Sequence, residues 1–325
     1  TDPDYPNTDW GDVVLRDNAP TQEYSLAVRG GTEKIKYYGN IGLLDQETMF
    51  KTNAGGFKRY NLRSNVDAQI TDNLSAQLDI SHIWGTQDLP WRMANPGGGN
   101  IWQEYWNTQP FFNPTNPDGS LAYGGSGGAV GIHALSNKDH GGYNINENEQ
   151  LQTSIALNYD LNSLVTGLSA KAFANINQSN NFNKWWRYLP NSFTYNHTND
   201  SYTQNNFQTA PDLRHRDIRS RNLTGQFSLN YNNTFAENHE VSALALYEII
   251  DTNSGWIEAG RGGYTTTAIQ YLFNGAVGQQ TSDGKASEMG RQSLVFRGNY
   301  AYKSKYLLEA TLRVDESAKF NQENR

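Results

Sequence analysis

The chain has 325 residues and a formal net charge of -7; 36% of its residues are hydrophobic, 12% are aromatic and none is cysteine. So thin an apolar share would leave an ordinary soluble domain short of core, yet disordered chains lack this many rings; what remains is a chain that buries one residue in two and wets the other, as in a membrane barrel, a lectin-like sandwich or a propeller. The missing cysteine excludes disulfide frameworks and thiolate chemistry, the acidic balance excludes a phosphate-binding face for nucleic acid, and no apolar run approaches the ~18–20 residues of a membrane helix.

Period-two alternation dominates the chain. Weak copies at 22–30 and 34–45 come first. Then Tyr60, Leu62, Val66, Ala68 and Ile70 fall on one face, and Asn61, Arg63, Asn65, Asp67 and Gln69 on the other. Successive strand residues point to opposite faces, so Leu62 and Val66 are expected to meet lipid and Asn65 a wet lumen. The same pattern follows at Leu74–Trp84 and Leu151–Tyr159, weakly at 168–178, strongly at Leu223–Tyr231, weakly at 239–250, strongly at Leu294–Tyr302 and weakly at 306–316. This gives ten strands and no convincing helix.

The links alternate in length. Short ones join strands at Gly30–Glu33, Thr71–Asn73, Asp160–Gly167, Asn232–Asn238 and Lys303–Lys305, and long ones occupy 46–57, 85–148, 179–220 and 251–290. An up-and-down meander puts successive turns at opposite ends, so one end holds the tight turns and the other the loop mass. Outer-membrane barrels have short periplasmic turns and long extracellular loops. Tyr37, Tyr38, Trp84, Tyr159, Tyr231, Tyr302 and Tyr306 near strand ends suit the aromatic girdles of such a barrel, although rings are good strand residues anyway.

Catalytic motifs are weak. Gly124-Gly125-Ser126-Gly127-Gly128 matches a nucleophile elbow in letters but lacks the strand before and the helix after that the elbow requires. His82, His133, His140, His197, His215 and His239 include no pair at the spacing of a zinc helix. Asn116-Pro117-Asp118-Gly119 reads as a β-turn, not a calcium loop. The chain is therefore read as a non-enzyme, with no metal and no cofactor. The long loops are the place to look for function: Trp91, Trp102 and Trp106 lie in one, and Trp185, Trp186 and Tyr188 in another beside Arg187. Aromatic rings among Asn, Gln and Arg suit a ligand with an apolar face and polar edges, a glycan or a peptide. They would serve equally to pack loops together or against a partner.

Several ordered segments resemble the SusC/RagA-like TonB-linked outer-membrane proteins of the Bacteroidota. They are Tyr5-Pro6-Asn7-Thr8-Asp9-Trp10, Leu26-Ala27-Val28-Arg29-Gly30-Gly31, Lys36-Tyr37-Tyr38, Phe57 through Asp67, His239 through Leu244, and Lys305 through Asp315. Glu316 stands where the family pattern usually has Gly. The resemblance implies an all-β fold: a transmembrane antiparallel up-and-down β-barrel segment, about ten strands of a barrel of about 22 with a plugged lumen. Residues 1–325 would be part of that barrel domain, with extracellular loops at 85–148, 179–220 and 251–290 and the plug not in this chain; the same polypeptide or another chain would supply the residues that close the barrel. It further implies import of a large solute across a bacterial outer membrane, with a SusD-like surface lipoprotein capping the mouth, TonB acting through parts outside this chain, and outer-membrane lipid around the wall. Two alternatives stand beside it: a SusC-like barrel serving as an assembly subunit of a larger outer-membrane complex, and a soluble carbohydrate-binding β-protein.

Overall fold

The computed structural model describes residues 6–51, 54–91, 101–123, 132–188, 190–205 and 210–320. The alternating segments become strands β1 (Thr21–Gly31), β2 (Ile35–Glu47), β3 (Gly56–Thr71), β4 (Leu74–Pro90), β5 (Gly142–Asp160), β6 (Leu168–Arg187), β9 (Asp212–Phe235), β10 (His239–Arg261), β11 (Gln280–Tyr302) and β12 (Tyr306–Ser317). These ten form one antiparallel sheet in chain order, and a separate hairpin of β7 (Phe193–Asn196) and β8 (Ser201–Gln204) lies between β6 and β9. Two of the tight turns show how they are made. Ala236 and Glu237, and again Lys303 and Ser304, take positive φ in succession. The amides of Asn238 and Lys305 close them onto the Phe235 and Tyr302 carbonyls. This geometry matches the right-handed twist of the flanking strands.

Hydrogen-bonded neighbours share a face, so the register tests the alternation across the whole sheet. One row runs Ile35, Ala68, Ala76, Leu157, Ala172, Phe227, Tyr247, Leu294, Val314, without a polar residue. The next row on this face holds Tyr37, Val66, Leu78 and Ile155, as expected for Val66. Asn65 lies on the opposite face and donates to Asp79. Many large apolar side chains of this face are bare, Leu26 and Leu308 among them, which is the signature of a lipid-facing wall.

The apolar window on each strand is about nine residues long, near the ~9–11 that cross a bilayer core. It covers 35–43 on β2, 151–159 on β5, 168–176 on β6, 241–249 on β10 and 306–314 on β12. Immediately above it, on the same face, stand Asp45, Lys58, Glu149, Gln178, Arg221, Asp251, Gln292 and Glu316. Lys58 pairs with Asp45 at 3.1 Å and Arg221 with Asp251 at 3.9 Å. Relative to the hydrogen-bonded rows, the window slips by about one residue per strand from β2 to β12. With a rise of ~3.4 Å per residue and a strand spacing of ~4.8 Å, that slip corresponds to a tilt of roughly 35°. Nine residues at this tilt span about 22–25 Å, the height of an outer-membrane barrel's apolar band.

The strands outrun that window, most of all on one side. Above it β2 adds Leu44–Glu47, whereas β11 adds Gln280–Ser293. Accordingly the long links are shorter than alternation suggested: 91–141 instead of 85–148, 188–211 instead of 179–220, and 262–279 instead of 251–290. Short helices are also present, contrary to the all-strand reading: α1 (Trp10–Val14), α2 (Ile101–Asn107), α3 (Ile132–Leu135) and α4 (Lys138–Gly141). No described helix is long and apolar enough to cross a membrane. The Gly124–Gly128 motif lies outside the described residues.

Candidate functional site

The long-loop end gathers the candidate aromatics into three separate places. The first is a small core made by α1, the β2–β3 link, α2 and α3. Asp9 caps α1 by accepting from the Gly11 amide at 2.9 Å and the Asp12 amide at 3.3 Å. This turns Trp10 and Val14 inward against Phe50, Ala54, Ile101, Ile132 and Ala134. Trp10 Nε1 donates to the Gln109 carbonyl at 2.9 Å, and Thr8 Oγ1 donates to the Phe112 carbonyl at 2.7 Å. The segment before β1 is thereby stitched to the β4–β5 link. Trp102 packs on Phe50, with ring centroids 5.2 Å apart. Trp106, on the same helix, is 77% exposed. His133 stacks on Trp10 at 5.6 Å, and among the described residues neither of its buried ring nitrogens has a hydrogen-bond partner. Burial, and then the nearby His140, push the His133 pKa down to about 4.

The second place is the polar face near the rim of β5, β6 and β9. Trp185 faces Asn144 across the β5–β6 ladder. Two residues on, Arg187 donates to Asp212 through Nη2 at 2.5 Å and Nε at 3.0 Å. Its guanidinium lies 6.0 Å from the Trp91 ring centroid. Below them the polar face of β5 reads Asn144, Asn146, Asn148, Gln150, Gln152 and Ser154, and β6 sets Asn175, Asn177, Ser179, Asn181 and Asn183 beside it. Asn146 donates to Asn183 at 2.8 Å and accepts from Asn181 at 2.9 Å.

The third place is on the lipid-facing side, above the apolar window. Trp186 is 1% exposed and packs with Leu213 and with Tyr264 of the β10–β11 link. The Trp186 and Tyr264 rings meet edge-on at 4.9 Å. Tyr143 Oη donates to Gln270 at 2.5 Å, and Tyr188 Oη donates to the Asp139 carbonyl. Burial raises the Tyr188 pKa. Trp185 and Trp186 belong to β6, not to a loop, and their opposite faces send them to different environments. Trp102 and Trp186 are packing residues; Trp91, Trp106 and Trp185 are partly or largely open.

A cleft lies outside the six candidates. The 111–123 turn pairs with β7 through an Ala122–Phe193 bridge. Between them lies a cavity of about 480 Å³ with Phe111, Phe112, Tyr123 and Tyr195 in its wall. The β7–β8 hairpin that brings them together has no alternation long enough to announce it.

With this geometry in hand, relatives can be compared. The TonB-dependent receptor P26 of Formosa agariphila is 25% identical over 335 aligned residues, covering 99% of this chain and 30% of the relative. Receptor P39 of the same organism is 25% identical over 93% of this chain and 27% of its own length. The chain is similar in sequence to TonB-dependent receptors. It spans less than a third of the length of these receptors. No protein-family model matches it. Among solved structures, the RagAB peptide transporter superposes with a TM-score of 0.75 over 99% of this chain and 35% of that chain, at 22% identity. The RagAB importer in its closed-closed state gives 0.74. The antiparallel up-and-down sheet is thus a fold shared with these structures.

Proposed function

We propose that this chain is wall and rim of an outer-membrane TonB-dependent importer of a large solute, glycan or peptide. The reading rests on one observation: relatives named as TonB-dependent receptors align along 93–99% of the chain, and the chain builds a tilted, lipid-belted sheet with its loop mass at one end. Among the described residues, the outer edges of β1 and β12 have no partner strand in the sheet. Unpaired edges are prohibitive in lipid, so further strands, about 22 in all, close the barrel around a plug. A SusD-like lipoprotein caps the loop end, and TonB displaces the plug from the other side through parts outside this chain. The loops at 91–141, 188–211 and 262–279 are extracellular; Trp91 and Trp106 on them, and Trp185 near the rim of β6, face ligand or the capping partner. The continuous lipid-facing belt weighs against the soluble carbohydrate-binding reading.

The test is to excise 101–123 or 262–279 from the intact polypeptide and measure uptake of glycan and peptide mixtures, together with co-purification of a surface lipoprotein. Loss of uptake or of the partner, in a barrel that still assembles, is the expected result. Full uptake and full partner binding in both deletions would refute the assignment.

A further inference from the structure

We infer that the lipid-facing wall of β10 to β12 carries a site for an anionic glycerophospholipid of the leaflet at the short-turn end. One acyl chain lies in a trough on the apolar belt, and the phosphate meets Lys303 and Lys305. The leaflet is identified through the proposed reading, in which the tight turns are periplasmic; the site itself needs only the wall.

The trough is cut into the outer face. Tyr231, Ala243, Gly298 and Ala310 form one hydrogen-bonded row there, and Leu229, Ala245, Phe296 and Leu312 form the next row up. Between the large side chains lies a hollow of about 540 Å³, walled by Leu229, Tyr231, Phe296 and Leu312. Its floor at Gly298 is open: a Cβ added there would meet no atom within 4 Å. Leu312 is 60% exposed. At this depth hydrocarbon is the solvent, and a chain seated in the hollow gains dispersion contacts that a flat wall does not give. Below the trough the face continues through Val241, Tyr300 and Leu308 to His239, Tyr302 and Tyr306. From Gly298 to Tyr302 is roughly 14 Å along a strand, within the length of one acyl chain.

At the foot of that path is a polar end. Aromatic rings mark the membrane interface, and here His239 Nδ1 and Tyr300 Oη share a hydrogen bond of 2.7 Å while the Tyr302 and Tyr306 rings stack at 6.5 Å. The β11–β12 turn is fixed by positive φ at Lys303 and Ser304 and by the Lys303 amide, which donates to the Asn238 carbonyl at 2.8 Å. Lys303 Nζ lies 5.4 Å from the Tyr302 ring centroid and Lys305 Nζ 5.6 Å from that of Tyr306. Cation–π attraction to these two rings keeps both ammonium groups on the lipid side. Among the described residues neither is paired with a carboxylate. Of the carboxylates in the β9–β10 and β11–β12 hairpin ends, Glu240 and Glu309 alternate onto the lumenal face, where Ser304 Oγ donates to Glu240 at 3.1 Å, and Glu237 sits in the β9–β10 turn. Two free cations at headgroup depth call for phosphate. A zwitterionic headgroup brings its own cation to the lysines; an anionic one does not.

The experiment uses the intact polypeptide that contains this chain, delipidated in detergent and titrated by native mass spectrometry with phosphatidylglycerol, phosphatidylcholine of the same acyl chains, and lipid A. Phosphatidylglycerol is expected to be retained in preference to phosphatidylcholine. The double variant Lys303→Gln/Lys305→Gln should weaken that retention about 30-fold, since each lysine near an anionic lipid surface contributes roughly a factor of five; Lys303→Arg/Lys305→Arg should restore it. Gly298→Leu fills the trough and should weaken retention with both lysines in place. Lys58→Gln, on the same face at the loop end, should change nothing. Folding of each variant is read from the gel mobility of the barrel. Equal retention of the two phospholipids would overturn the inference, as would retention indifferent to the lysine pair or to Gly298→Leu, which is the behaviour of unselective annular lipid. Lipid A held in place of phosphatidylglycerol and lost with the lysine pair would also overturn it, by putting the short turns in the outer leaflet. Solute uptake is a separate readout, so the phospholipid site can fail while the import reading stands.

Discussion

Ala172 is the most direct probe of the lipid-facing assignment. It sits at the centre of the β6 window, between Leu157 and Phe227 in the apolar row. Lys171 beside it already carries a charge on the opposite face, over the Phe173 ring at 6.0 Å. Ala172→Arg removes almost no packing, so its cost is almost wholly that of placing a guanidinium at mid-membrane depth. That cost is about 2–4 kcal/mol, equivalent to roughly a 30- to 1,000-fold shift in the folding equilibrium. The control is Asn175→Arg, one step higher on the lumenal side, where water replaces lipid. The assay is refolding of the intact polypeptide into vesicles under a urea titration, read by the mobility difference between folded and unfolded barrel. Ala172→Arg should move the midpoint well down, and Asn175→Arg should leave it nearly in place. If both variants lose the same stability, or Ala172→Arg loses none, the belt is misplaced. Val66→Arg against Asn65→Arg repeats the comparison nearer the edge of the belt, with a smaller expected gap.

Three further outcomes follow from the loop end. His133 should make the small core acid-labile: the free ring takes a proton below its ordinary pKa near 6.5, whereas the buried ring resists until about pH 4. Stability is therefore level above pH 6.5, falls by up to about 3 kcal/mol between pH 6.5 and 4, and is level again below; Trp10 fluorescence would report it, and His133→Phe should flatten the profile. Gly142 holds φ at +88°, and a Cβ there would stand 2.0 Å from the Trp186 carbonyl oxygen. Gly142→Ala should cost about 1–3 kcal/mol and speed hydrogen exchange at the rim of β5–β6, leaving the belt untouched. Arg187→Lys keeps the charge beside Asp212 but loses the planar fork; Trp91 emission should shift to the red nearly as far as in Arg187→Ala, and recovery by Lys would show that charge alone holds the ring.

Where the sequence was legible, the reason is lipid. Between Ile35 and Leu43, or Leu151 and Tyr159, one face touches hydrocarbon and the other water, so side chains must alternate. Above Glu149 or Arg221 both faces are wet, and the pattern dissolves although the hydrogen-bonded ladder continues. Reading strands by alternation therefore ended β6 short of Arg187 and placed Trp185 and Trp186 in a loop. Helix α1 had a local signal, Asp9 as a cap with Asp12 in the first turn, but five residues carry too little periodicity to stand out. The burial of Trp186 had none, because Leu213 and Tyr264 reach it only through tertiary structure. The cleft depended likewise on the β7–β8 hairpin meeting the 111–123 turn.

The unequal reach of the strands above the belt has a mechanical consequence. From β9 to β11 the wall stands tall on a continuous backbone ladder, a stiff parapet of about a dozen residues. At β1 to β3 the ladder stops low, and the height is made up by α1, α2 and α3, held together by side chains and a few donors such as Thr8 and Trp10. Bending the tall side means breaking strand pairing; moving the low side means only parting a small core. Compliance on this arc of the barrel is thus concentrated over β1 to β3, and the tall side does not yield to a load that would part the low one.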